Sequence, residues 1–185
     1  MKFVFPKKVY GWLDPKEGKK LFELAQEKPN FGVVVEIGSY EGKSTICLAQ
    51  GNKLASQEKV YAVDNFRGDK YVGENPLMFE KFIKNLEEFK LERVVQPIKS
   101  DSVAASKKFK KPVRLLFIDA SHDYEDVKRD FSAWFPLVAA GGLIVFHDAT
   151  YFDGIKRFAD ELRERVDLQY LGAVVSLGIF EKTKR

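Results

Sequence analysis

The order of apolar and polar positions predicts alternating strands and helices along the chain. Val33–Ile37 is an apolar, β-branched run, Gly38 and Gly42 follow it, and residues 43–55 have the apolar spacing of a helix. This order predicts a strand, a tight glycine turn and a helix N-terminus. Because such a turn exposes backbone N–H groups at the carboxyl edge of a sheet, it is a place where α/β proteins bind ligands.

The same alternation continues along the rest of the sequence, after an irregular arm over residues 1–15. Strands are predicted at residues 33–37, 59–63, 93–98, 113–118, 143–146, 169–175 and 177–181, and helices at 14–26, 43–55, 76–89, 124–138 and 155–166, with a short helix capped by residues 100–102. Gly141-Gly142 is expected to stop the helix over 124–138. Ser176 separates the last two strands and is too little for a helical crossover, so we expect an antiparallel hairpin there. The pattern predicts one α/β domain over residues 1–185, with an N-terminal arm and helix in residues 1–30. Its sheet should be Rossmann-like, seven-stranded and mostly parallel, with helices on both faces.

Composition narrows the class of protein. The 185 residues suit one domain, and the net charge of +4 permits an acidic partner without requiring one. No basic run is interleaved with aromatic residues, so a nucleic-acid partner is not expected. Cys47 is the single cysteine, which excludes an internal disulfide and favours a buried, inert thiol. No segment approaches a membrane span and the N-terminus lacks a signal-peptide pattern, so we expect a cytoplasmic protein.

The side chains of the glycine turn discriminate among three ligand classes. A dinucleotide-binding G-x-G-x-x-G motif would need glycine at positions 36 and 41, where the chain has Glu36 and Glu41. A P-loop would need glycine at position 37, which is isoleucine. Two glutamates around the turn would repel a pyrophosphate but attract a cation such as S-adenosylmethionine (SAM), which carries a sulfonium and an ammonium. The alternative is a helix-capping turn with surface glutamates.

Asp64 stands at the carboxyl end of the second predicted strand. An acidic residue about twenty residues past the glycine turn takes the ribose hydroxyls in nucleotide-binding α/β folds. Asn65 and Phe66 would then flank the adenosine, although a turn or cap aspartate is the alternative interpretation. Residues 67–75 form a long polar loop, which is typical of a lid or substrate loop and equally of disorder.

Several motifs together resemble the class I SAM-dependent methyltransferases, and within them the branch of the macrocin O-methyltransferases and the methyltransferase 24 family. They are residues 36–45, 118–124, 130–134 and 141–148, with Gly11-Trp12-Leu13 and Glu17-Gly18. The resemblance implies the class I fold and SAM as cofactor. It implies a cofactor site that comprises Glu36, Gly38, Ser39, Tyr40, Glu41, Gly42, Ser44, Asp64, Asn65, Phe66, Ser100, Asp101, Ser102 and Asp119. Asp101 would accept a hydrogen bond from the adenine, but helix capping explains residues 100–102 equally well.

Two aspartates end neighbouring predicted strands and predict a metal site. Asp119 and Asp148 are hard oxygen ligands that suit Mg²⁺, and metal-dependent relatives of the catechol and macrocin types place carboxylates at these two points. The chain departs from the catechol type at Ala149, where that type has an asparagine ligand, and it has His147 before Asp148. The site is therefore weak, metal-free or suited to a softer divalent ion that accepts imidazole, with His147 as the predicted ligand beside the two aspartates. The alternative is that both aspartates cap loops and orient the ammonium group of SAM.

His122 is the favoured general base, together with Asp119 in the catalytic set. Imidazole changes charge near neutral pH, and His122 stands three residues after Asp119, where the catechol type has its catalytic lysine. A structural histidine is the alternative, and it fits His147 better. We predict an O-methyltransferase for a small-molecule hydroxyl, in a protein that forms a homo-oligomer. The rivals are a methyltransferase for RNA or protein and a SAM-binding module without activity.

Overall fold

The computed structural model describes residues 2–28, 30–68 and 73–183. In that part of the chain the strands are β1 (Val33–Ile37), β2 (Val60–Asp64), β3 (Val95–Lys99), β4 (Val113–Ile118), β5 (Val138–Phe146), β6 (Leu168–Val174) and β7 (Leu177–Lys182). The helices are α1 (Pro15–Leu24), α2 (Lys43–Ala55), α3 (Met78–Glu88), α4 (Ser102–Lys108), α5 (Tyr124–Trp134) and α6 (Asp153–Arg163), with a 3-10 turn at Phe135–Leu137.

The seven strands form one sheet in the order β3-β2-β1-β4-β5-β7-β6. Pairs from β3 to β5 are parallel, whereas β7 runs antiparallel to both β5 and β6. The strand order reverses at β1, since β2 and β3 lie on one side of it and β4 and β5 on the other. Such a topological switch point opens a crevice at the carboxyl ends of the strands. The predicted fold class, with its antiparallel hairpin, is confirmed.

Helices cover both faces of the sheet, so its central strands are buried on both faces. Every residue of β1 and β4 is buried, as a central parallel strand requires. Alternate residues of β1 belong to two hydrophobic clusters: Val34 packs with side chains of α1, α2 and α3, while Val33 and Val35 pack with those of α4, α5 and α6. The Cys47 thiol lies in the first cluster, and burial raises its pKa, as expected for an inert thiol.

The boundary between α5 and β5 was predicted wrongly. The prediction ended a helix at Val138 and used Gly141-Gly142 as its stop, but α5 ends at Trp134 and β5 begins at Val138. Pro136 has no backbone N–H to continue a helix, so the chain tightens into the 3-10 turn. The glycines lie inside β5, where the register with β4 shifts. A Cβ on Gly142 would lie 2.9 Å from the carbonyl oxygen of Ala139, so the pair marks a bulge.

Capping residues fix the start of α1, the helix that borders the cavity described in the next subsection. Asp14 accepts a hydrogen bond from the backbone N–H of Lys16, and the Glu17 carboxylate reaches back to the backbone N–H of Asp14, which completes a capping box. The bounds of α2 and the start of α5 agree with the prediction, while the ends of α1, α3 and α6 differ from it by one to three residues. The loop predicted at residues 67–75 includes residues 69–72, which lie outside the described residues. None of the described helices is long and apolar enough to cross a bilayer.

Candidate active site

A cavity of about 1010 Å³ opens at the carboxyl edge of the sheet, above the switch point. Its walls come from the ends of β1, β2, β4 and β5, from the start of α4 and from the arm before α1. The sequence-predicted site residues that line it are Gly38, Ser39, Tyr40, Ser44, Asp64, Asn65, Ser100, Asp101, Ser102, Asp119, His122, His147 and Asp148. The structure therefore brings most of the predicted residues to one cavity. Glu36, Glu41, Gly42 and Phe66 are not among its lining residues.

The glycine turn is held across the switch point by Asp64. Its Oδ2 accepts hydrogen bonds from the backbone N–H groups of Ser39 (2.8 Å) and Tyr40 (2.9 Å), and its Oδ1 accepts one from Phe66 (2.7 Å). Gly38 has a φ of 84°, and a Cβ there would lie 2.2 Å from the carbonyl oxygen of Asp119. Only glycine therefore fits where the turn passes over the end of β4. Since a carboxylate has about four acceptor positions, Asp64 retains capacity for a ligand hydroxyl.

Glu36 supports the turn from beneath, away from the cavity. It is fully buried, and its carboxylate accepts hydrogen bonds from Ser44 Oγ (2.5 Å) and from the Thr45 hydroxyl at the start of α2. Burial raises its pKa to about 7, although the hydroxyl donors act in the opposite direction. Glu36 therefore fixes the end of β1 to the start of α2.

The other three predicted cofactor residues outside the cavity also have partners in the protein. Glu41 forms a 2.9 Å ion pair with Lys81 of α3. Gly42 is the N-cap of α2 and has a φ of 92°. Phe66 is buried and packs against the rings of Phe79 and Phe82. These residues lie outside the cavity lining, and direct contact with a cofactor stays a prediction for them.

The segment of Ser100, Asp101 and Ser102 lines the cavity and also caps α4. The Asp101 carboxylate accepts a hydrogen bond from the backbone N–H of Ala104 (3.0 Å), and Trp134 Nε1 donates to Ser102 Oγ (3.0 Å). The capping role that the sequence allowed is thus present. The three residues stand at the cavity wall, where the contact with adenine stays a prediction.

A cluster of carboxylates and imidazoles forms the floor of the cavity at the ends of β4 and β5. His147 Nδ1 lies 3.3 Å from Asp119 Oδ1 and 3.0 Å from Asp148 Oδ2. His122 Nε2 lies 3.2 Å from Asp148 Oδ2, and its ring stacks on Phe152 with centroids 4.0 Å apart. The adjacent strand ends thus place both predicted aspartates and both histidines in one group.

Glu17 of α1 completes this cluster, and sequence analysis did not assign it a role in the site. Its Oε2 lies 3.2 Å from His147 Nε2, and its Oε1 accepts hydrogen bonds from the backbone N–H (2.8 Å) and the hydroxyl (2.6 Å) of Ser176. The capping box explains why Glu17 stands at the start of α1, but it does not indicate a partner elsewhere. No local signal indicates a partner 130 residues away.

The carboxylates around His147 determine its charge. Burial by itself would lower the pKa of His147, but Asp119, Asp148 and Glu17 raise it well above its ordinary value. The pKa of Glu17 is lowered to about 2, because the hydrogen bonds from His147 and Ser176 outweigh its burial. His147 is therefore a buried cation whose two ring nitrogens both face carboxylates. Burial raises the pKa of Asp119, although His147 acts in the opposite direction.

Three of these residues suit a divalent cation. One ligand atom each from Asp119, His122 and Asp148 can be chosen so that all three lie within 4.8 Å of one another. Two carboxylates and one imidazole form a mixed oxygen and nitrogen set that accepts Mg²⁺ or a softer ion. His147 is hydrogen-bonded to both aspartates, and such outer partners orient metal ligands in proteins. The residues present therefore fit a metal with His122 as the imidazole ligand, whereas His147 faces the two aspartates as a hydrogen-bond partner and its predicted role as a ligand stays a prediction.

Comparison with known proteins identifies the family of this fold and cavity. The profile of the Methyltransf_24 family, described as a methyltransferase domain, matches residues 35–149, which include the glycine turn, Asp64, Asp119 and Asp148. The chain belongs to this methyltransferase family. The resemblance inferred from the motifs is thus confirmed.

Two uncharacterised relatives and one solved structure illustrate the similarity. A Sinorhizobium fredii protein is 29% identical over 120 residues, and an Acanthamoeba polyphaga mimivirus protein is 26% identical over 117 residues, each alignment covering 62% of this chain. The chain spans 13% and 50% of the lengths of these two relatives. The O-methyltransferase from Bacillus cereus in complex with SAH is 22% identical, with a TM-score of 0.71 over 96% of this chain and 86% of that one. This likeness confirms the methyltransferase fold.

Proposed function

We propose that the protein is a SAM-dependent O-methyltransferase that acts on a hydroxyl group of a small molecule. The observation that carries the proposal is the juxtaposition of two features in one cavity of a methyltransferase domain. The glycine turn held by Asp64 lies on one side, and the cluster of Asp119, His122 and Asp148 lies beside it. The first suits a cofactor with a ribose, and the second suits the removal of a hydroxyl proton.

The cofactor lies along the turn in this proposal. Gly38, Ser39 and Tyr40 provide the close backbone approach, and Asp64 accepts hydrogen bonds from the ribose hydroxyls with its remaining acceptor positions. Asp119 lies at the neighbouring strand end, where its carboxylate attracts the ammonium or sulfonium of SAM. Alignment of the acceptor oxygen with the sulfonium methyl supplies a large share of the rate enhancement.

The hydroxyl proton can be removed in two ways, with His122 as the general base or with His122 as a ligand of a metal ion. As a general base, His122 takes the hydroxyl proton, and the Asp148 carboxylate lies 3.2 Å from its Nε2. As a metal ligand, His122 would join Asp119 and Asp148 in holding a divalent cation, which when bound lowers the pKa of a coordinated hydroxyl. One imidazole cannot serve as ligand and base at once, so the two mechanisms make opposite predictions for chelation.

Binding measurements test the proposal before any acceptor is known. S-adenosylhomocysteine should bind with 1:1 stoichiometry by calorimetry and raise the melting temperature, whereas NAD and ATP should not. Labelled SAM with a panel of phenols and sugars then tests turnover. Binding of NAD or ATP without binding of S-adenosylhomocysteine contradicts the proposal. Binding without turnover of any acceptor supports the rival SAM-binding module. A cytoplasmic location and a homo-oligomer remain part of the proposal.

A further inference from the structure

Exposed aromatic side chains gather at one place on this protein. In the described part of the chain, five aromatic residues are classed as exposed, and four of them line the cavity: Tyr10, Trp12, Tyr151 and Phe152. Trp12 is 63% exposed and Tyr151 is 67% exposed. The fifth, Phe31, lies outside the cavity. Single exposed apolar residues are normal on a protein surface, but a group of them in one place is typical of a binding site.

The four rings form two walls, each attached to a different part of the candidate active site. On one side Trp12 contacts Tyr10 (centroids 5.3 Å apart) and Tyr40 (6.1 Å), which belongs to the glycine turn after β1. On the other side, after β5, Phe152 stacks on His122 at 4.0 Å with an interplanar angle of 12°. One wall therefore adjoins the proposed cofactor site and the other adjoins the proposed base.

The two walls adjoin the ends of strands that are not neighbours in the sheet. β4 lies between β1 and β5, so the two strand ends are roughly 10 Å apart at about 4.8 Å for each strand. A planar ring in van der Waals contact on both faces needs about 7–8 Å. The spacing of the strand ends therefore exceeds this thickness, and Asp119, at the end of β4, lies between them.

The charge of the cavity adds a second restriction on the acceptor. Among the described residues, nine lining side chains carry a carboxyl group, whereas two, Lys43 and Arg129, are lysine or arginine. These cations are engaged in the protein: Lys43 Nζ donates to the carbonyl oxygen of Gly11 (2.7 Å), and Arg129 pairs with Asp126 at 2.9 Å. The buried His147 cation, which also lines the cavity, faces the carboxylates of Glu17, Asp119 and Asp148. The whole chain has a net charge of +4, so this excess of acid is local. An anionic acceptor would be repelled.

We infer that the acceptor is a planar aromatic hydroxyl compound that is neutral or positively charged, held between the Tyr10/Trp12 wall and the Tyr151/Phe152 wall. This inference rests on the proposed methyl transfer, because it assigns the second substrate of the same cavity. It excludes acidic acceptors, such as phosphorylated or carboxylated compounds. It also disfavours sugar hydroxyls, whose puckered rings offer no flat face to stack.

Three probes with one ring and different charges test the inference. 4-Methylcatechol is neutral, dopamine carries an ammonium and 3,4-dihydroxyphenylacetate carries a carboxylate; methyl rhamnoside provides a non-planar control. Turnover with labelled SAM, and binding to the enzyme saturated with S-adenosylhomocysteine, are measured for each probe with and without Mg²⁺. We expect dopamine to exceed the anionic probe in kcat/KM by at least about tenfold at low salt, and the ratio to shrink at high salt.

Variants of the walls connect this preference to the structure. Trp12→Ala and Tyr151→Ala should each raise KM, or the Kd of the ring probes, roughly 3–10-fold with little change in the binding of S-adenosylhomocysteine. Trp12→Phe should restore most of the affinity. Phe31→Ala removes an exposed aromatic side chain outside the cavity, so it should behave like the unaltered protein.

Each outcome separates the inference from the proposed function. Methylation of the rhamnoside without binding of any ring probe overturns the planar acceptor but leaves the methyltransferase in place. Equal or better use of the anionic ring overturns the charge selection. Absence of ring binding to the saturated enzyme, or wall variants that match Phe31→Ala, overturns the proposed subsite. Failure to bind S-adenosylhomocysteine at all refutes the proposed function instead.

Discussion

Replacement of the buried Glu36 by glutamine should remove a pH dependence of folding stability. Glu36 is fully buried beneath the glycine turn, and its pKa is raised from 4.5 to about 7. A raised carboxyl pKa means that the folded state prefers the protonated form. The stabilising contribution is therefore complete below pH 4.5, declines as the pH rises, and is lost above about pH 7.

The size of this effect follows from the shift in pKa. Each unit corresponds to about 1.4 kcal/mol, so a shift from 4.5 to about 7 corresponds to roughly 3 kcal/mol between acid and alkaline limits. The hydroxyl groups of Ser44 and Thr45 donate to the carboxylate and can rotate to meet a neutral amide. Glu36→Gln should thus keep the hydrogen-bonded connection of β1 to α2 without the titration.

Urea unfolding followed by circular dichroism at pH 5, 6, 7 and 8.5 measures the difference in unfolding free energy between the two proteins. The variant should gain stability relative to the unaltered protein by roughly 2–3 kcal/mol from pH 5 to pH 8.5. Glu58→Gln changes an exposed glutamate paired with Lys111 and serves as the control. A constant difference, or one that changes in the opposite direction, would refute the reasoning, because it would mean that the Ser44 and Thr45 donors outweigh burial.

Four further predictions concern the site. Asp64→Ala removes the acceptor that holds the turn, and it should weaken binding of S-adenosylhomocysteine by roughly 1.5–3 kcal/mol in calorimetry; an unchanged Kd removes Asp64 from the site. His122→Ala should lower kcat roughly 10²–10⁴-fold in a chelator-treated enzyme if histidine is the base, with cofactor affinity retained; full activity there rules the base out. Asp148→Asn should reproduce the loss of turnover caused by chelation if a divalent cation is held, and calorimetric titration of Mg²⁺ or Mn²⁺ should show weaker binding; identical metal binding contradicts this assignment. Glu17→Gln leaves the His147 cation without one carboxylate and should destabilise the protein by about 3–5 kcal/mol near neutral pH; since the pKa of Glu17 is lowered to about 2, the difference should vanish as the pH falls from 4.5 through 2, and a difference that persists in acid argues against the ion pair.

The sequence predicted those parts of the fold that depend on local patterns. β4 and α2 have the predicted bounds, because an almost continuous apolar run and a glycine turn followed by helical spacing are both local signals. The prediction for Gly141-Gly142 was wrong, because glycines both end helices and form bulges in strands. The difference depends on the neighbouring β4, which periodicity does not report.

Site prediction from the sequence succeeded for residues at strand ends and failed for burial and long-range pairing. Asp64, Asp119 and Asp148 reach the cavity because parallel strands bring their carboxyl ends to one edge. Glu36 was treated as a charge near the ligand, although its position inside an apolar run was itself a signal of burial. Glu17 was named only as part of a family motif, and its role in the site was not predicted, because its partners, His147 and Ser176, lie 130 and 159 residues away.

The bonds between Glu17 and Ser176 also bear on how the protein is made. They join α1 to the turn between β6 and β7, and a contact across 159 residues forms late, because the chain must first close a long loop. A ribosome-bound chain that has not yet reached residue 176 contains the glycine turn, both aspartates and both histidines, yet it lacks the donors that fix Glu17 beneath His147. We therefore expect nascent chains to acquire a competent cavity only after the β6–β7 hairpin has been synthesised and docked, so that immature protein does not consume cofactor.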